Sequence, residues 1–313
     1  MGPCSNAPLL VGQADWSTDP RKRWIALGKL QPDGRYRLCT ARRVGPIATL
    51  LEDLEAEAGG GPVLLGFDFP IGLPRAYARE ARIDDFVTAL RSFDDRFYSV
   101  AVQSSQISLQ QPFYPMRSGG TSHQHLLKGL GIKAWPDLLR QCDRGSATRP
   151  AACALFWTLG GQQVGKAAIT GWRDLLAPAL RDGLDLGLWP FQGSLAELLA
   201  RHRFVVAETY PAEFYGHLGL NLKGGKRKQA VRQANAPALL AWANGVGVDL
   251  DPTLCAEIED GFGADARGDD RFDAVVGLLG MLNVVFGNRE SGEPDIDDGV
   301  RRVEGWILGQ SAT

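Results

Sequence analysis

Three apolar runs in this sequence each end on an acid: LLVGQAD at Asp15, PVLLGFD at Asp68 and FVVAE at Glu208. Near the carboxyl end, GDDRFD opens a long apolar stretch and sets Asp270 and Asp273 three residues apart, on one face of a helix's first turn. Sites in open α/β sheets lie beyond the carboxyl ends of strands, so acids there can converge on one crevice. Carboxylates gathered in this way repel, and raised pKa values or bound cations must relieve them. Mg²⁺ and Mn²⁺ prefer carboxylate oxygen and relieve them directly. Two such ions about 4 Å apart activate water and stabilise the leaving oxygen in phosphodiester cleavage. Taken singly, each acid has a plainer reading as a turn former or helix cap, Asp269 above all.

The elements that must carry these acids read as follows. Leu9–Asp15, Trp24–Leu27 and Tyr36–Cys39 are strand-like, with Pro32-Asp33-Gly34 as a turn between the last two. Short connections make them an antiparallel meander. Pro46 suits a first helical position, and Ile47, Leu50, Leu51 and Leu54 share a helical face that Gly59-Gly60-Gly61 ends. Pro62–Asp68 is a buried-type strand, giving a β-β-β-α-β opening. Residues 75–202 read as a mainly helical insertion, with candidate helices at Asp84–Phe97, Ser122–Leu130, Trp135–Cys142, Trp172–Leu180 and Ser194–Arg201. Phe204–Glu208 is a further strand. Helices at about Lys226–Ala243 and Pro252–Glu259 precede Asp269–Phe286, whose interior is apolar nearly all round and belongs deep in a core. The expected architecture is one α/β domain over residues 1–313, with three antiparallel strands followed by parallel ones.

Composition narrows the function classes. A chain of 313 residues, 44% hydrophobic and 22% charged, is ordinary for a soluble globular protein. It carries no run of 18 apolar residues and no signal-peptide pattern, so a cytoplasmic protein without membrane attachment is expected. Its five scattered cysteines, without a C-x-x-C pair, fit reduced thiols better than disulfides or a zinc site. His123 and His125 lack a third ligand at zinc spacing. A net charge of −2 argues against nonspecific coating of nucleic acid. Charge is nevertheless uneven. Lys223, Lys226, Arg227, Lys228 and Arg232 cluster, and 249–273 is acidic.

Other motifs bear on phosphate chemistry. Gly160, Gly165 and Lys166 fit the first part of a P-loop, but Ala167 stands where a hydroxyl must ligate Mg²⁺. Thr170 reads as the N-cap of a helix starting there, leaving Lys166 as a phosphate contact from a glycine-rich loop. Ser118–Ser122 reads as an N-cap before a helix rather than as a phosphate cradle. Tyr210, Phe214 and Tyr215 suit either base stacking or core packing. No nucleophile elbow and no G-x-G-x-x-G after a strand is present.

The segments ADWS, GFDFPIGLP, GGQQVGKAAITGW, ETYPAEFYG and DDRFDAVVG, spread over residues 14–277, resemble the predicted RNase H-like nuclease family known as domain of unknown function 429. The D-x-x-D-A of the last helix is also similar to the ending of RuvC-type resolvases. The resemblance implies an RNase H-like mixed five-stranded sheet, a metal-dependent nuclease or phosphodiester hydrolase, and Mg²⁺ or Mn²⁺ held by Asp15, Asp68, Asp270 and Asp273. Glu208 joins them as a further candidate, and Glu52 is the nearest match to the acid on the first helix of ribonuclease H. Lys166, Lys226, Arg227 and Lys228 would hold the phosphates of nucleic acid or another phosphoester. Two alternatives stay open: a non-catalytic RNase H-like module binding nucleic acid or protein, and a nucleotide phosphotransferase of the actin–sugar kinase type.

Overall fold

A computed structural model describes residues 7–145, 151–160, 164–265, 267–294 and 297–311. Cys4 and the Gly161–Gln163 stretch of the P-loop-like segment lie outside the described residues. The chain forms two compact units. One comprises 1–68, 194–292 and 308–311, and the other 69–193, 293–307 and 312–313.

The first unit is a mixed α/β sheet with helices packed on it. Its strands are β1 (Leu10–Asp15), β2 (Trp24–Leu30), β3 (Tyr36–Leu38), β4 (Arg42–Arg43) and β5 (Val63–Phe67). A short strand β6 (Leu186–Leu188) belongs to the second unit, after which β7 (Phe204–Glu208) and β8 (Asp249–Leu250) complete the first. The order across the first unit is β7-β5-β1-β2-β3-β8, with β4 pairing the far end of β2. The pairs β1/β2, β2/β3 and β2/β4 are antiparallel, whereas β1/β5, β5/β7 and β3/β8 are parallel. β5 and β7 are buried along their whole length, as strands covered on both faces must be. The strands β4 and β8 have two residues each and leave no hydrophobic period in the sequence. The helix Ile47–Ala58 returns the chain parallel to β1; Pro46 caps it, and Gly59 ends it in the left-handed region at φ 68°.

The helix Gly268–Val285 is buried along most of its length and packs on β1 and β2. Two glycines let it approach. A Cβ on Gly277 would lie 2.5 Å from Gln13 Cγ, and one on Gly66 would lie 2.5 Å from Met281 Sδ. Gln13 is fully buried between them; its Nε2 donates to Ala14 O at 3.2 Å and its Oε1 accepts from Thr209 Oγ1 at 2.7 Å. A methyl group here must displace a bonded side chain inside a filled core.

The second unit is mainly helical and gathers around aromatic rings. Trp172 is fully buried, donates Nε1–H to Pro70 O at 2.8 Å, and packs against Phe86, Phe93 and Phe97. Fully buried Arg140 grips Asp143 with two hydrogen bonds, at 2.9 and 2.8 Å, and reaches the carbonyls of Ile71 and Glu304. Apart from β6, its described strand structure is isolated bridges, so it is no second copy of the β-β-β-α-β opening that an actin–sugar kinase architecture requires. The expected helix Trp135–Cys142 is instead two 3₁₀ turns, Trp135–Leu138 and Gln141–Asp143, divided by Leu139 and Arg140.

The helical run starting at Val164 overturns one expectation. It continues unbroken through Thr170, so Thr170 is no N-cap; its hydroxyl donates back to Ala167 O at 3.0 Å. Gly165 serves packing, because a Cβ there would lie 2.1 Å from Leu155 O. We expect Gly277→Ala to cost about 1–3 kcal/mol in chemical denaturation, as overpacking of a filled core does. An unchanged midpoint would show that Gln13 yields freely.

Candidate functional site

Strand register decides which acids can meet. Ala14 pairs Phe67, and Phe67 pairs Glu208, so these three share one face. The following residues Asp15, Asp68 and Thr209 therefore lie on the opposite face, together with Gln13 and Gly66, beneath the helix Gly268–Val285. The Thr209–Gln13 hydrogen bond confirms that parity. On the helix, Asp273 stands one turn before Gly277 and Asp270 a further three residues back, so the stripe that seats on Gln13 carries both acids to the ends of β1 and β5. Asp15, Asp68, Asp270 and Asp273 come together in this way. Glu208 does not join them: it is buried, at 4% exposure, on the other face of the sheet. Glu52 is exposed on the helix Ile47–Ala58.

The four acids are electrostatically loaded. Burial foremost, then the charges of Asp68, Asp273 and Asp270, push the Asp15 carboxyl well above its ordinary range, with Lys226 opposing. Burial likewise raises Asp68, to about 7, although it accepts the Trp16 backbone N–H at 2.6 Å and shares a side-chain hydrogen bond with Asp15. Asp270 is pushed up to about 6 by burial and by Asp269 and Asp273. Asp273 is held on both oxygens: Tyr215 donates its hydroxyl to Oδ1 at 2.6 Å, and Lys226 Nζ contacts Oδ2. Burial pulls the Lys226 ammonium down, but Asp273, Asp15 and Asp269 outweigh it and hold its pKa above the ordinary value.

The basic cluster divides by role. Arg232, the last member of the run, is 1% exposed. It donates to the carbonyls of Gly261, Lys226 and Gly263 at 2.6–2.7 Å. One side chain thus ties the loop bearing Lys226 to the loop that launches the acidic helix. Gly268 admits it, since a Cβ there would lie 2.3 Å from the guanidinium. Nothing in a run of Lys and Arg marks one member as buried, so this positioning residue escapes a sequence reading. Arg227 is exposed, 3.9 Å from Asp269, and Lys228 is exposed. Lys166 lies in the second unit, half-buried in the first turn of the helix Val164–Gly171. Phe214 is core, lying against Gly280, and His217 Nε2 lies 3.6 Å from Glu213 Oε1.

Among the described residues, no three His, Cys, Asp or Glu side chains already form a metal-binding group. The chemistry of the donors still suits a hard cation: all are carboxylates, all repel, and Lys226 is the cation that opposes the charge of both Asp15 and Asp68. Among the described residues, no helix is long and apolar enough to cross a membrane, and no two cysteines form a disulfide. A scan against protein-family models and searches of curated proteins and of solved structures give no match.

The raised carboxyls make a pH prediction. Between their ordinary value of 3.8 and about 7, the folded chain holds more protons than the unfolded one, so its stability falls as pH rises through that window. The Tm of chelator-treated protein should drop between pH 5 and 8, by less in Asp15→Asn, and Mn²⁺ should recover it at pH 8. A Tm that rises over this range in both proteins would show that the acids are not clustered.

Proposed function

We propose that this chain is a metal-dependent phosphodiester hydrolase built on an RNase H-like core. The observation that carries the reading is the convergence of Asp15, Asp68, Asp270 and Asp273 at the carboxyl ends of two adjacent parallel strands, with Lys226 among them. The strand connectivity supports it: three antiparallel strands are followed by a helix and two strands parallel to the first, in the order β7-β5-β1-β2-β3. The resemblance of the acid-bearing segments to the predicted nuclease family points the same way.

In this reading the four aspartates would hold Mg²⁺ or Mn²⁺, which supplies an activated water and neutralises charge on the scissile phosphate. Tyr215 fixes the rotamer of Asp273 through its hydroxyl. Arg232 holds the Lys226 loop against the helix start, so that the ammonium stays beside the acids, where it can donate to a phosphate oxygen. The Asp15–Asp68 pair retains a proton near neutral pH without a cation and gives it up when positive charge arrives.

One observation favours a second reading, a non-catalytic module. Asp273 is already satisfied by Lys226 and Tyr215, so the cluster is partly compensated from within. The deciding experiment incubates wild type and Asp15→Asn with DNA and RNA substrates in Mg²⁺ or Mn²⁺. The hydrolase reading expects wild-type cleavage and a loss of at least about 100-fold in the variant, the scale of losing a principal electrostatic contribution. Equal residual activity, together with no metal-dependent Tm shift, would establish the second reading.

A further inference from the structure

Beside the acids, wholly within the first unit, lies a cleft of about 920 Å³ whose walls carry Arg21, Lys22, Arg43, Arg227 and Arg267. Asp19, Asp265, Asp269 and Asp270 line it as well, and Asp270 belongs to the acidic cluster too. The cations come from four separated parts of the chain: the 3₁₀ turn Pro20–Lys22, strand β4, the loop with Arg227, and the loop with Arg267 that leads into the acidic helix. Local sequence does not assemble them; the fold does.

Their pairing is uneven in a telling way. Arg21 is bonded to Asp19 at 3.0 Å, Arg267 lies 3.6 Å from Asp265, and Arg227 lies 3.9 Å from Asp269. Among the described residues, Lys22 and Arg43 have no ion pair with a carboxylate; Lys22 exerts only longer-range pulls, on Asp19 and Asp270. The Arg43 guanidinium lies 4.1 Å from the Trp24 ring centroid, and its Nη1 is buried without a hydrogen-bond acceptor. Stacking fixes the planar fork, and because burial closes Nη1, the donors left for a phosphate are Nε and Nη2, a pair whose geometry suits an anion.

Register ties this fork to the acids. Asp15 pairs Trp24, and Trp24 pairs Arg43, so Asp15, Trp24 and Arg43 form a row across one face of the sheet. Arg271, from the first turns of the acidic helix, also lies over the Trp24 ring, at 5.4 Å. Two strand spacings separate Arg43 from Asp15, about 10 Å. A phosphate held among the acids does not reach that far, whereas the next phosphates along a strand do.

We propose that this cleft is the path of a nucleic-acid strand, with Lys22 and Arg43 gripping backbone phosphates beside the one held at the acids. The proposal deepens the hydrolase reading, on which it rests for the position of the scissile phosphate. It makes the substrate a polymer instead of a small phosphoester. RNA and DNA share the recognised group, and separate arms distinguish them.

The test is fluorescence anisotropy of labelled single-stranded RNA and DNA 12-mers over a salt series in excess chelator, comparing wild type with Lys22→Gln/Arg43→Gln. Thermal melts of both proteins first establish equal folding, and Arg43→Lys reports on charge without the planar fork. Removing two single-strand phosphate contacts should reduce the slope of log affinity against log salt by about 1.4. Arg43→Lys should recover part of that slope. Equal affinity and slope in wild type and double variant would overturn the proposal. So would a wild type that hydrolyses a small phosphodiester in Mn²⁺ but binds neither oligonucleotide, an outcome that leaves the hydrolase reading standing. A reduced slope in a protein with neither metal binding nor cleavage would remove the hydrolase reading and keep the cleft.

Discussion

The arrangement of the first unit depends on one close approach. A helix that is apolar nearly all round could seat on a sheet in several registers, because hydrophobic burial has no direction of its own. Gly277 and Gly66 remove that freedom, since only where both lie against Gln13 and Met281 does the helix come down far enough. Gln13 then closes the gap with a hydrogen bond from Thr209. A buried polar side chain left unpaired costs more than an apolar contact returns, so the bond fixes the register in a way that leucines cannot. Asp273 and Asp270 follow one and two turns further along the same stripe. Their meeting with Asp15 and Asp68 is a consequence of where two glycines sit.

That meeting is costly, and neighbouring features answer to it. Carboxyls at the ends of buried strands are already penalised by desolvation, and gathering them adds repulsion. The structure meets this with a lysine on a loop, held by a fully buried arginine that bonds three carbonyls. Arg232 contributes through those carbonyls more than through its charge, since it lies where a solvated partner cannot reach. Gly261, Phe262 and Gly263 all adopt positive φ. The two flanking glycines take that conformation readily, and Phe262 is an outlier that the surroundings must hold. These are the features expected of a site kept in a strained, charged state for a purpose other than stability.

Much of this was legible in the sequence. Phe204–Glu208 and Pro252–Glu259 fall at the boundaries that their apolar pattern and flanking prolines imply, and the meander, Val63–Phe67 and the last helix differ by a few residues at their ends. The sequence also nominated the four aspartates that meet. It misled at Glu208 because "an acid ending a strand" ignores pleat parity: Phe67 pairs Glu208, so the acid that would share a face with Asp68 stands at position 209, and that residue is Thr209. It misled at Thr170 because a threonine ahead of an apolar stretch reads as an N-cap, whereas the next residue, Gly171, lies within a helical run and a Cβ there would lie 2.3 Å from the Phe69 ring. Both misses have one origin. A glycine or an acid has a local meaning and a tertiary one, and only contacts across the sheet or the core tell them apart.

The same distinction explains why the cleft could not be assembled from the sequence. Arg21, Lys22 and Arg43 stand in two short basic runs, Arg21-Lys22-Arg23 and Arg42-Arg43, and nothing local says that the two runs meet. They become a surface only because β4, two residues long, pairs the end of β2 and brings Arg43 beside Trp24. The contiguous run at Lys223–Arg232, which looked like the phosphate-binding feature, dissolves instead into one buried tether, one lysine committed to the acids, and exposed side chains. Positive charge that must meet a polymer has to be spaced along the polymer's path, and a path across a sheet draws on residues far apart in sequence. A dense local run serves a single point better than a line, which is how Lys226 is used here.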